Sequence, residues 1–238
     1  MLIHSGASRS TAVDLRLAVL LASVAGAVNA AGFRALGFFS ANMTGNVSAL
    51  ADHLAQGLWG PVALAAGLVA AFIAGAFVSA LLIERGRAAR IRGIYAYSIV
   101  LEALIIAAFA LADLLWQGPL RGEMILLGLS LAMGLQNAAS TRISDGRVRT
   151  THLSGISTDL GIELAVLLGG ARDPDTRAVV AARFRLHVAT LLAFAGGGVL
   201  GALLYGGIGA LVYLLAAAAL LAIALPELGR SRTADLPS

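Results

Sequence analysis

The chain has no cysteine and no lysine, and charges of either sign are scarce: Asp, Glu and Arg together make up 13% of 238 residues. The missing cysteine excludes disulfides, thiol catalysis and cysteine-ligated metal. The missing lysine excludes a phosphate-binding loop of the P-loop type, which needs one and also needs a preceding strand. The shortage of charge excludes a soluble globular domain, in which roughly a quarter of residues are charged. Hydrophobic residues reach 59% before the 28 glycines are counted, and the mean hydropathy is +0.87. Disorder is excluded on the same grounds. Aromatic residues are only 6% and no basic stripe interleaves with them, so the basic pI of 10.3 does not point to nucleic acid. What remains is an integral membrane protein whose first partner is the lipid bilayer.

Long apolar runs at residues 15–36, 61–83, 94–115, 124–139, 186–204 and 208–225 predict six membrane-spanning helices in one membrane domain covering 1–238. Two shorter segments, 44–57 and 154–170, are too short at about 1.5 Å per residue to cross a hydrocarbon core near 30 Å. They also carry Asp52, Asp159 and Glu163. Each is expected to be a re-entrant half-helix. The first run imitates a signal peptide, with Arg9 and Arg16 before it and Ala27-Val28-Asn29-Ala30 late in it. The same pattern recurs deep in the chain, so it is read as a retained span. Arg85, Arg87, Arg90 and Arg92 form the densest basic cluster, which places that loop in the cytoplasm. Counting from there puts both termini in the cytoplasm, with the arginines of 142–149 and 172–185 on the same side. The Arg-only, Ala- and Gly-rich composition suits a GC-rich bacterial genome, hence an inner-membrane location. Residues 227–238 are expected to be a mobile tail.

Self-similarity is the informative feature. Gly26-Ala27-Val28-Asn29-Ala30-Ala31 matches Gly134-Leu135-Gln136-Asn137-Ala138-Ala139, and Asn42-Met43-Thr44-Gly45 matches His152-Leu153-Ser154-Gly155. The offsets are 108 and 110 residues. Halves of 12–116 and 120–226 then each read span, short segment, span, span. Three full spans per half, an odd number, would make the halves inverted, an arrangement that points to secondary transporters and channels. The predicted fold is thus all-α: a polytopic helix bundle of about six spans plus two re-entrant half-helices, with an inverted internal repeat.

At these residues the chain resembles the YoaK family of bacterial membrane proteins. The resemblance rests on Phe38-Phe39-Ser40-Ala41-Asn42-Met43-Thr44-Gly45-Asn46, on Gly134-Leu135-Gln136-Asn137-Ala138-Ala139 and on Thr150-Thr151-His152-Leu153-Ser154-Gly155. It implies a six- or seven-span, permease-like protein, and it brings no established substrate or catalytic residue with it. Family members often carry Asp where this chain has Asn29 and Thr where it has Ser154. The first departure removes a proton-carrying group from the first span.

Thr44-Gly45-Asn46 and Ser154-Gly155 open the short segments. A hydroxyl there suits an N-cap, and a glycine beside it admits another backbone or a solute. The orphan N–H groups and positive dipole end of a half-helix that starts inside the membrane suit an anion or a polar solute. Asn29, Gln136 and Asn137 are amides in apolar runs and must face the bundle interior, either as interhelical bonds or as pathway lining. Glu102 falls near the middle of its span, where a carboxylate must be neutral, paired or water-lined. Arg34 or His187 would be its partner, and proton coupling its candidate role. Asp159 and Glu163 share a helix face near His152, but the spacing is not that of a zinc helix. Gly196, Gly197, Gly198, Gly201, Gly206, Gly207 and Gly209 read as small-residue packing surfaces.

The functional expectation is a small-solute secondary transporter with no cofactor, no metal and no enzymatic activity. Its candidate substrate-binding residues are Asn29, Thr44, Gly45, Asn46, Asn137, Ser154 and Gly155, for an unknown small polar or anionic solute. The alternative is a scaffold or partner subunit that binds other helices. A lipid-acting enzyme would rest only on Asp159, Glu163 and His152. Six helices enclose little volume, which makes a homodimer plausible.

Overall fold

A computed structural model describes Leu2 and residues 10–116, 118–169 and 173–233, with side chains to residue 230. Among the described residues the protein is all-helical and has no strand. The helices are α1 (Thr11–Leu36), α2 (Met43–Ala55), α3 (Trp59–Ala88), α4 (Ile94–Leu115), α5 (Arg121–Ile143), α6 (Leu153–Leu168), α7 (Pro174–Ile208) and α8 (Leu211–Thr233). Six of these, all except α2 and α6, are long and apolar enough to cross a membrane. α2 and α6 have 13 and 16 residues, roughly 20 and 24 Å at the α-helical rise.

The helix ends follow from local chemistry. Ser10 Oγ accepts from the Val13 N–H to start α1, and Gly37, at φ 75°, closes it with its own N–H on the Phe33 carbonyl. Asp173 caps α7 through the N–H groups of Asp175 and Thr176, with Pro174 in the first turn where no N–H is needed. α7 therefore starts at residue 174, twelve residues before the predicted span, and the stretch bearing Arg177, Arg183 and Arg185 is helix rather than loop. At 35 residues it is about 52 Å long, well beyond a hydrocarbon core. α8 likewise runs through Pro226 to Thr233, past the predicted start of the tail at 227. Glu227 and Leu228 are buried there, and the Glu227 carboxylate accepts from the Leu2 N–H at 3.0 Å. Residues 234–238 of that predicted tail lie outside the described residues.

The buried centre is built mainly from α1, α4, α5 and α8: Leu17, Leu21 and Val28 meet Ile99, Ile106, Leu129, Met133, Tyr213 and Leu220. α1 packs on α7 and α3 on α5, while α2 packs on α3 and α6 on α7. Large apolar side chains such as Ile73, Phe77, Leu192 and Leu203 are more than 60% exposed on α3 and α7. Helices apolar all round belong in lipid rather than in water.

Glycine sets the closest approaches. A Cβ at Gly26 of α1 would overlap the Phe194 carbonyl of α7, and one at Gly134 of α5 would overlap the Phe72 carbonyl of α3. From the other side, Gly197 meets the backbone of Ser23 and Gly75 meets that of Leu131. The sequence-matched pair Gly26 and Gly134 thus makes the same contact twice, each time against the backbone of a phenylalanine. Of the glycine run predicted to pack, Gly197 and Gly201 face α1 closely, whereas Gly196, Gly207 and Gly209 face open space.

Candidate solute site

The N-terminal ends of α2 and α6 meet at one cavity of about 660 Å³. α1 contributes Asn29, α5 Asn137, α3 Phe72 and α7 Phe194. The two short helices and the residues leading into them supply Phe39, Ala41, Asn42, Met43, Thr44, Gly45 and Ser48 on one side. Thr151, His152, Leu153 and Ser154 come from the other. Among the described residues the lining holds no carboxylate and no arginine, and His152 is its one titratable side chain. The volume lies within the range of small-molecule sites, and the mixture of apolar wall and few polar groups is typical of them.

Five of the seven predicted binding residues line this cavity: Asn29, Thr44, Gly45, Asn137 and Ser154. Asn46 does not. It is buried, and its Nδ2 donates to the Phe39 carbonyl at 2.9 Å, which ties α2 to the loop before it. Gly155 lines a neighbouring cavity instead.

The roles of the hydroxyls and glycines differ from expectation. Thr44 and Ser154 are second residues of their helices, not caps. α2 is capped by Asn42, whose Oδ1 accepts from the Gly45 N–H at 3.1 Å, and His152 stands at the matching position before α6 without a capping bond. With their hydroxyls not needed as caps, Thr44 and Ser154 face the cavity. A Cβ at Gly45 would strike the Asn42 side chain and one at Gly155 the His152 ring. These glycines make room for the side chain that precedes their own helix, not for a second backbone.

The three amides divide. Gln136 is fully buried, and its Nε2 donates to the Leu21 carbonyl of α1 at 2.8 Å, an interhelical bond. Asn29 Oδ1 accepts from the Ala41 N–H at 2.9 Å, which fixes the loop leading into α2. Asn137 Oδ1, at the matching position, is shut off from solvent and has no protein partner. One amide oxygen is bonded to the backbone, and the other is buried with no protein group donating to it.

Glu102 lies apart from the cavity. It is completely buried in α4 and neither carboxylate oxygen has a hydrogen-bond partner. The expected partners are engaged elsewhere: His187 Nδ1 lies 3.1 Å from Glu163 Oε2, joining α7 to α6, and Arg34 stands at the end of α1 near Gly206. Asp159 and His152 line the neighbouring cavity together, but Glu163 turns to His187.

Sequence reasoning missed the aromatic walls. A signal existed, since Ala71-Phe72-Ile73-Ala74-Gly75 and Ala193-Phe194-Ala195-Gly196-Gly197 share Ala-Phe-x-x-Gly. Asn42 and His152 stood in the matched strings and were passed over in favour of the hydroxyl-Gly pairs beside them.

The fold and this cavity define a multi-span helical membrane protein. A family model described as "Protein of unknown function (DUF1275)" matches residues 17–225, and the chain belongs to that family. It is similar to the UPF0700 transmembrane protein YoaK of Bacillus subtilis (strain 168), 26% identical over 142 residues. The match covers 59% of this chain and 63% of that protein, so less than two thirds of the relative's length is spanned. No solved structure matches the chain.

Proposed function

We propose that the protein is a secondary transporter of a small polar or anionic solute in a bacterial inner membrane, with both termini in the cytoplasm. The observation that carries this reading is the cavity held between the starts of two short helices. Matched residues furnish most of its lining: Asn29 with Asn137, Phe72 with Phe194, Asn42 with His152 and Thr44 with Ser154. In this reading the halves form an inverted repeat, α2 and α6 are re-entrant from opposite faces, and one half rocks on the other around the cavity. The glycine contacts of Gly26 and Gly134 support it, because they allow smooth backbone surfaces to slide. A cation would meet two positive helix ends and no carboxylate, so the solute is neutral or anionic.

Two experiments test it. The native chain lacks cysteine, so single cysteines can be placed at Phe38, Gln56, Arg142 and Asp175 and labelled with an impermeant thiol reagent. Phe38→Cys and Gln56→Cys label on intact cells, and Arg142→Cys and Asp175→Cys only after lysis. Labelling of Phe38→Cys and Gln56→Cys from opposite sides removes the re-entrant α2. In proteoliposomes, Thr44→Val, Ser154→Val and Asn137→Ala reduce uptake of any solute the native protein carries. Unchanged uptake in all three refutes the site.

A further inference from the structure

A second cavity of about 430 Å³ lies against the first. Gly146, Arg147 and Arg149 of the loop before α6 line it, with Gly155, Ile156, Thr158 and Asp159 of α6 and His187 and Thr190 of α7. One residue belongs to the walls of both cavities: His152. Its ring lies over the first turn of α6, in the space that the missing Cβ of Gly155 leaves. His152 therefore stands where a polar cavity lined by charged groups borders a central cavity whose other described lining residues carry no charge.

We propose that the second cavity is the cytoplasmic antechamber of the central one and that His152 is the door between them. The carried solute is then a small organic monoanion with an apolar body, moving together with one proton held on His152. This rests on the transporter reading above and goes further, naming the solute class and the coupling.

The argument is one of charge and shape. Around His152, Arg147 is paired with Asp14 at 2.8 Å, and His187 faces Glu163. Arg149 and Asp159 are the remaining charged groups of the antechamber and are of opposite sign. The antechamber holds charge in balance and is wide enough for hydrated ions. Among the described residues that line the central cavity, His152 alone has a side chain that can take up a proton and with it a charge. An anion entering alone would carry net charge into the low-dielectric middle of the membrane, which is costly. An anion facing an imidazolium enters as a neutral pair. Phe39, Phe72 and Phe194 offer apolar wall to the body of the solute. Asn137 lines the same wall, and its amide NH2 is a donor from which an anion can accept. No bond is made or broken beyond the N–H of the imidazole, which gains its proton on one side and releases it on the other.

The test uses the full chain in proteoliposomes and radiolabelled benzenesulfonate, which stays anionic throughout and does not cross lipid as a free acid. Mannitol, choline and inorganic phosphate serve as comparators. The native protein accumulates benzenesulfonate up to about tenfold per unit of inward pH gradient. Imposed membrane potential has no effect, because the pair carries no net charge. His152→Asn, which installs the residue of the matching position, abolishes the gradient response, and His53→Asn, remote from both cavities, retains it. Should His152→Asn fail to fold, diethyl pyrocarbonate modification of the native protein takes its place: benzenesulfonate protects His152 and mannitol does not. Uptake of choline overturns this inference together with the neutral-or-anionic reading of the site, whereas uptake of mannitol or phosphate without benzenesulfonate overturns this inference and leaves the transporter reading standing. The same holds for electrogenic benzenesulfonate uptake, a gradient response that survives in His152→Asn, or equal modification of His152 with and without benzenesulfonate. Failure to carry any of the four solutes overturns this inference as well, and the uptake assays on Thr44, Ser154 and Asn137 with a wider panel then decide the parent reading separately.

Discussion

Replacing Gly134 with alanine adds one methyl group at one of the two glycine-limited contacts between α5 and α3. An ideal Cβ there overlaps the Phe72 carbonyl and crowds the Ala76 amide, both backbone atoms that no rotamer change can move. Carbon normally approaches a carbonyl oxygen to about 3.3–3.6 Å, so the two helices must part by roughly 1 Å along several turns. Overpacking of this kind costs about 1–3 kcal/mol. Alanine returns about 0.5–1 kcal/mol through its better helix propensity. The net loss is about 1–2 kcal/mol, which for a chain of this size lowers Tm by about 2–8 °C. Gly26→Ala meets the same atoms of Phe194 and Gly198 in α7, so its shift should equal that of Gly134→Ala. The two contacts share no residue, and the double variant should show the sum of the two shifts within about 0.5 kcal/mol. Gly196→Ala is the control, because nothing lies within 4 Å of its Cβ position, and it should leave Tm level or raise it. Thermal unfolding in detergent, followed by size-exclusion chromatography of heated samples, reads all four variants. If Gly26→Ala and Gly134→Ala are as stable as Gly196→Ala, the helices are not held at glycine-limited distance and the packing argument fails.

The remaining expectations are narrower. Gln136→Leu removes the bond to the Leu21 carbonyl and should cost about 0.6–1.7 kcal/mol, the range of such interhelical bonds in lipid; no loss of Tm would show that the amide is not held there. Asn42→Ala removes the cap of α2 and should cost about 0.5–2 kcal/mol. Thr44→Val caps nothing and should leave Tm unchanged while lowering solute uptake. A fall in Tm for Thr44→Val as large as that for Asn42→Ala would contradict the assignment of the cap. Asp173 is held below the usual carboxylate range by the Thr176 hydroxyl first and by the backbone N–H groups of Thr176 and Asp175. Its contribution to the start of α7 is therefore present above the ordinary carboxylate pKa and is lost as pH falls through the lowered value. Asp173→Ala should unfold earlier than the native protein at neutral pH and converge with it in acid; a constant difference across pH would rule out the ionised cap.

Much of this architecture was legible because lipid imposes a simple rule on sequence. Runs such as 94–115 coincide with α4 because nothing but apolar residues suits a helix apolar all round. The boundaries of α7 were not legible in this way. Hydropathy falls where the arginines begin, while the helix is decided further upstream by Asp173 and Pro174. The end of α8 failed for a similar reason: Pro226 looks like a stop, but Glu227 and Leu228 are packed and the chain stays helical. At the site, the matched strings led to the right place and then to the wrong atoms. Hydroxyl next to glycine reads as a cap from sequence, whereas the cap is the Asn two residues earlier, and the glycine serves that side chain. The aromatic walls were marked only by the shared Ala-Phe-x-x-Gly strings, because a phenylalanine in an apolar run otherwise looks like any other lipid-facing residue until helix packing turns it inward. Glu102 was legible as unusual, but its lack of a partner was not, since that depends on where α1, α6 and α7 place Arg34 and His187.

The two halves agree where they hold the bundle together and differ where they face the cavity. Gly26 and Gly134 make equal contacts, as do Gly197 and Gly75 from the facing helices. At the cavity Asn42 caps its helix and His152 does not, and Asn29 is bonded to the Ala41 N–H while Asn137 is left open. Under the proposed reading, matched glycine contacts would permit equal movements of either half, which alternating access requires. Unequal linings have a different consequence under the proposed reading: a solute with an anionic head and an apolar body would sit in one orientation, with its head toward His152. The capped half then supplies a fixed wall against which the solute is turned. Divergence at these positions is what the proposed carrier would need if its two gates are to respond to different conditions on the two sides of the membrane.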